Sequence, residues 1–157
     1  MTKLGEDITI MIGGEAVRLV PRLRHALALE RRPGSFAGIL AGIEDGSLTV
    51  AVEIIRQHRP DVTLDAIFAA GLDKLREPLT LYVLGLAGID PDDVSKPAKG
   101  KPQATQSFAD HLAGLYRRGT GWLGWPPEQT LDATPAEITE AYRGRVEMLR
   151  LICGSAE

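Results

Sequence analysis

With 157 residues, 44% of them apolar and 25% charged, the chain has the composition of an ordinary globular protein, long enough for one domain or two small ones. A net charge of -3 argues against partners that need a large basic surplus, and no stretch approaches the roughly 20 apolar residues of a membrane span. One cysteine, Cys153, permits no internal disulfide, and no charged region followed by an apolar run opens the chain, so a cytoplasmic location is expected.

Charge is spread unevenly, which points to joints. Residues 1–94 carry net -4, residues 95–106 carry net +3 from three lysines, and residues 107–157 carry net -2. The middle piece has two prolines and no large apolar side chain, so it lacks the means to bury itself and reads as a flexible linker. The expected organisation is therefore a first module over 1–94, a linker over 95–106 and a second module over 107–157. The fold class is α+β and mostly helical: an N-terminal β-hairpin packed on several short helices, then a small helical hairpin.

The first module opens with two alternating stretches around Gly13-Gly14, a dipeptide suited to a two-residue turn. That turn pairs Ile12 with Glu15, Ile10 with Val17 and Ile8 with Leu19, which makes one face apolar and leaves Thr9 and Arg18 on the other. After Pro21, Leu23, Ala26 and Leu27 mark the inner side of a short helix whose Arg22 and Arg24 point outward. Ser35 is expected to cap a segment in which Phe36, Ile39, Leu40 and Ile43 recur at i, i+3, i+4 and i+7. Thr49 then caps a helix burying Val52 and Ile55. Leu64, Ile67, Phe68, Leu72 and Leu75 continue the helical period past Arg59-Pro60. Pro78 is expected to begin the module's last helix, with Leu79, Tyr82, Val83 and Leu86 inward, and Gly88 to end it.

In the second module Phe108, Leu112 and Leu115 are expected to face Ile138, Ala141, Met148 and Ile152 across a turn that holds both tryptophans. Large rings on a turn either plug the joint between helices or anchor a partner. Trp122 is expected to plug; Trp125, beside Pro126 and Pro127, is the more exposed candidate. Beyond the turn, Thr134-Pro135-Ala136-Glu137 has the form of a capping box with proline at the first helical position. Gly119 to Gly124 satisfies G-x-G-x-x-G, but a helical pattern precedes it, Trp-Pro-Pro comes after it, and Trp122 is bulky where a pyrophosphate would lie, so nucleotide binding is rejected.

No constellation of catalytic residues stands out, and no cofactor, metal or enzymatic activity is expected. His25 and His58 lie beside arginines, where solvated surface is the plain reading, and His111 has no second ligand at a supporting distance. The acidic residues are scattered over helix faces and caps, with no pair set apart as general acid and base. Ser35 and Thr134 are better explained as caps than as nucleophiles.

The order of strand, Gly-Gly turn and strand, then Arg-Leu-Val-Pro-Arg-Leu-Arg-His-Ala-Leu-Ala-Leu-Glu, Ser-Phe-Ala-Gly-Ile-Leu and Gly46-Ser-Leu-Thr-Val, resembles small proteins encoded among the tail genes of long-tailed phages and gene transfer agents. Separately, Gly-Trp-Leu-Gly-Trp-Pro-Pro-Glu with Ala-Thr-Pro-Ala-Glu-Ile resembles the short helical tail assembly chaperone family. Where some relatives carry an aromatic pair before the Thr-Pro-Ala-Glu segment, this chain has Thr130-Leu131-Asp132.

These resemblances imply a two-part tail assembly chaperone that coats the tape-measure protein with one part and recruits tail-tube protein with the other, in the host cytoplasm and with a possible homo-oligomer. Candidate partner-binding residues are Trp122, Leu123, Trp125 and Pro126 in the second module and Phe36, Leu40 and Ile43 in the first. The plain alternative for the last three is the module's own core. Two rival functions stand beside this one: a structural tube or terminator component, which calls for longer strands, and a helix-turn-helix DNA-binding regulator, for which the connection is too long and the module too acidic.

Overall fold

The structure, a computed structural model, describes residues 8–89 and 107–154; the linker expected over 95–106 lies outside them. Strands β1 (Ile8–Ile12) and β2 (Glu15–Leu19) pair antiparallel in the register that the Gly-Gly turn dictates, with Ile10 opposite Val17 and Ile8 opposite Leu19. Gly13 and Gly14 both take positive φ, 59° and 80°, which matches the turn's twist to that of the strands. Ile10, Ile12, Val17 and Leu19 are buried on one face, while Thr9, Met11, Ala16 and Arg18 are exposed on the other. A two-stranded ribbon is marginal alone, and here helices cover its apolar face.

Those helices are α1 (Leu23–Glu30), α2 (Ser35–Glu44), α3 (Leu48–His58), α4 (Leu64–Ala70) and α5 (Leu72–Ala87). Four details differ from the sequence expectation, each for a local reason. Gly34, not Ser35, takes the cap position before α2 with φ 81°, and the Ser35 hydroxyl donates to Glu30 instead. Ser47 caps α3 by accepting from the Val50 amide, two residues before Thr49. Gly71 (φ 90°) divides the continuous period from Leu64 to Leu75 into α4 and α5, and Leu64 and Phe68 are left exposed. Pro78 lies inside α5 rather than at its start. Burial of Leu75, Leu79, Tyr82, Val83 and Leu86 outweighs the hydrogen bond that proline cannot donate. Gly88 (φ 70°) ends α5, its amide and that of Ile89 returning to the Gly85 and Leu84 carbonyls.

After the undescribed segment come α6 (Phe108–Arg117), a π-turn (Arg118–Trp122), the short α7 (Pro127–Asp132) and the long α8 (Pro135–Ile152). Thr134 and Glu137 form the expected capping box, Thr134 Oγ1 accepting from the Glu137 amide (3.1 Å) and Glu137 Oε2 from the Thr134 amide (2.8 Å).

Residues 107–154 share one core with residues 8–89. Leu112, Leu115, Ala133 and Ile138 belong to the same buried cluster as Leu23, Ile39 and Leu86. The first amide of α1, which has no side-chain cap, donates to the Ala133 carbonyl (2.8 Å), so a helix end of one part is completed by the backbone of the other. Phe108 meets Phe36 with ring centroids 4.4 Å apart, and Arg24 pairs with Glu128 and Asp132 at 2.8 and 3.0 Å.

Candidate partner-binding surface

The tryptophan turn is built by a change of helical pitch. At the end of α6 the backbone widens into i→i+5 bonding, the Leu123 amide donating to the Arg118 carbonyl (2.9 Å). Gly119 lies at the pivot: its carbonyl accepts from the Trp125 amide (2.9 Å), and it is buried against Thr130. A β-carbon at Gly119 would sit 2.4 Å from Thr130 Cγ2, so only glycine lets the turn close on α7. Thr130 itself is fully buried and donates to the Pro126 carbonyl (3.3 Å). Gly124 (φ 70°) then reverses the chain into Pro126-Pro127.

This geometry exchanges the expected roles of the two tryptophans. Trp125 is half-buried and packs against the core, so it is the plug. Trp122 is 56% exposed and leans edge-on toward Tyr142 (ring centroids 6.1 Å apart), whose ring also carries the Arg118 guanidinium 4.8 Å from its centre. Beside it lies an open groove of about 510 Å³ lined by Arg117, Thr120, Gly121 and Trp122. Leu123 is half-buried and Pro126 exposed. The structure thus gathers Trp122, Leu123, Trp125 and Pro126 on one turn.

The residues marked in the first part go elsewhere. Phe36 and Ile43 are buried and Leu40 is half-buried against them, so this stripe is core rather than partner surface. The outward large apolar side chains among the described residues of the first part are Met11, Leu64, Phe68 and Ile89, with Phe68 68% exposed. Leu64 and Phe68 are four residues apart on α4 and so share a face. In the second part α8 buries only Pro135 and Ile138, and its end leaves Met148, Leu151 and Ile152 exposed instead of turning Met148 and Ile152 toward α6 as expected.

The histidines also differ from expectation. His25 and His58 are not solvated surface; they form a polar knot where β2, α1, α3 and α5 meet. The Val20 amide and carbonyl lie 3.0 and 3.1 Å from His58 Nε2, and the Ile54 carbonyl lies 3.2 Å from His58 Nδ1. His25 Nδ1 lies 3.3 Å from the Val20 carbonyl and 3.2 Å from Tyr82 Oη, which donates to Gln57 Oε1 (3.4 Å).

Burial holds the His25 imidazole down at about 4, helped by the neighbouring His58 and by Arg22 and Arg24. Burial likewise pushes the Tyr82 hydroxyl well above its ordinary range. His111, on α6, is lowered by burial and by Arg118. No buried side-chain nitrogen or oxygen among the described residues lacks a hydrogen-bond partner, and no group of three or more His, Cys, Asp or Glu side chains among them is placed to hold a metal ion. The knot's polar groups are therefore satisfied by one another and by the backbone, which is the arrangement of a structural network.

No helix among the described residues is long and apolar enough to cross a membrane. Comparison of the chain with family models, curated proteins and solved structures gives no match.

Proposed function

We propose that the chain is a tail assembly chaperone of a long-tailed phage, prophage or gene transfer agent. It works in the host cytoplasm by protein-protein contact, binding the tape-measure protein and recruiting tail-tube subunits, with no catalytic step and no cofactor of its own. The observation that carries this reading is Trp122, an indole 56% exposed on a backbone locked by Gly119 and Thr130. It lies within the Gly-Trp-Leu-Gly-Trp-Pro-Pro-Glu segment that resembles the short chaperone family. An exposed indole offers roughly 2 kcal/mol or more when a partner covers it.

The first part supports the same reading through a different surface from the one the apolar period marks. Leu64 and Phe68, exposed one turn apart on α4, suit contact with a long amphipathic helix such as a tape-measure rod, now that Phe36, Leu40 and Ile43 are taken up by the core. The test is co-expression with the tape-measure protein of the same gene cluster. Recovery of the rod with many copies of this chain is expected. Recovery of this chain as a stoichiometric part of finished particles would favour a tube or terminator component instead, and salt-sensitive retention on DNA would favour a regulator.

A further inference from the structure

The tryptophan turn carries three glycines, and the fold accounts for two of them. Gly119 has Thr130 against it, and Gly124 takes a positive φ. Gly121 has neither reason: its φ is ordinary, and a β-carbon there would meet nothing within 4 Å. It is nonetheless part of the groove beside Trp122. A bare position on a turn, next to an exposed indole, is where a second main chain can approach closely.

The groove's walls differ in character, and that difference selects an occupant. Trp122 supplies an aromatic wall. Arg117 supplies a cationic one, with Arg118 next to it in the chain, and neither arginine meets a carboxylate among the described residues. Thr120 Oγ1 already donates to the Tyr116 carbonyl (2.9 Å), so what it has left to offer is a lone pair for an N–H. An apolar ring, cations without a carboxylate and an acceptor beside a bare glycine match a peptide bearing both carboxylates and aliphatic side chains. A single-stranded nucleic acid would also stack on an indole, but it needs a longer basic track than two arginines on a chain of net charge -3.

We infer that this groove docks an acidic linear segment of a partner polypeptide. An apolar side chain lies on Trp122, a carboxylate meets Arg117, and the main chain passes over Gly121. The inference rests on the chaperone reading and adds to it the chemistry of what the second part recognises.

The experiment is fluorescence anisotropy on the full chain with a fluorescein-labelled peptide of alternating glutamate and leucine. A lysine-leucine peptide and an oligo-dT of equal charge are run beside it. The wild-type chain is expected to bind the acidic peptide alone. Gly121→Leu, whose β-carbon would meet nothing within 4 Å, and Arg117→Glu, an exposed change, should each weaken it by about tenfold or more. Neither should shift the melting temperature.

Absence of acidic-peptide binding, binding indifferent to both substitutions, or equal binding of oligo-dT would overturn the proposal. A parallel capture of tail-tube subunits separates it from the broader reading. Capture undiminished by Gly121→Leu sinks the groove and leaves the chaperone standing, whereas no capture by the wild-type chain, with acidic-peptide binding intact, does the reverse.

Discussion

On α2 the apolar side chains go into the fold: Phe36, Ile39 and Ile43 are buried, Leu40 packs against them, and Phe108 reaches across from the other part to meet Phe36. The tryptophan turn does the opposite, locking its backbone with Gly119 and Thr130 while holding Trp122 outward. Both stretches are apolar enough to bind a partner. What separates them is whether a neighbouring element has already taken the surface, and that is decided by tertiary packing rather than by the stripe itself.

The sharpest way to break this contrast is to truncate a ring on the α2 side. Phe36→Ala is expected to cost roughly 3 to 5 kcal/mol in urea unfolding, because the ring is buried and the cavity opens at the contact with Phe108. A small loss of stability with a large loss of tape-measure binding would return Phe36 to the partner surface.

Next in size is a pH effect from the polar knot, which ties α1, α3 and α5 to the end of β2. His25 titrates at about 4 in the folded chain against an ordinary value of 6.5. Between those values the unfolded chain holds the proton and the folded chain does not. Stability is therefore complete above about pH 6.5 and falls as pH drops toward 4, by roughly 3 kcal/mol in total. His58, Tyr82, Arg22 and Arg24 surround the ring and give it no carboxylate to relieve the charge. Denaturant unfolding across this range should show the slope, and His25→Leu should flatten it; an unchanged slope would place His25 in water.

The lock on the tryptophan turn gives a smaller effect. Gly119→Ala forces a methyl against Thr130 and is expected to cost about 1 to 3 kcal/mol, partly relieved when Thr130→Ala is made with it. Strictly additive losses, measured by the same unfolding assay, would mean that the two residues do not meet.

Much of the architecture was legible because local chemistry settled it. Gly13-Gly14 and the alternation around them define the hairpin register, and Thr134 to Glu137 define the start of α8. The misreadings arose where geometry accumulates over distance. Gly71, not Pro78, comes before the start of α5, because burial along α5 decides where that helix runs.

His25 and His58 look like solvated neighbours of arginine in one dimension. Their bonds come from Val20, Ile54 and Tyr82, brought together only by folding. The tryptophans trade places because Trp122 ends the π-turn, while Gly124 (φ 70°) and the Trp125 amide bond to the Gly119 carbonyl fold the chain back so that Trp125 meets the core. Of the candidate site, the turn was visible in its residues, but which ring faces out was not. The extra carbonyl-to-amide step has no signature beyond the glycine at 119.

The central claim is that Trp122 belongs to a partner while Trp125 belongs to the fold. It is tested most directly by capturing the tail-tube subunit on purified Trp122→Ala and wild-type chains at equal folded concentration. The account predicts at least about a tenfold loss of capture with an unchanged melting temperature. Equal capture by both chains, or a variant that loses folding and capture together, would contradict it.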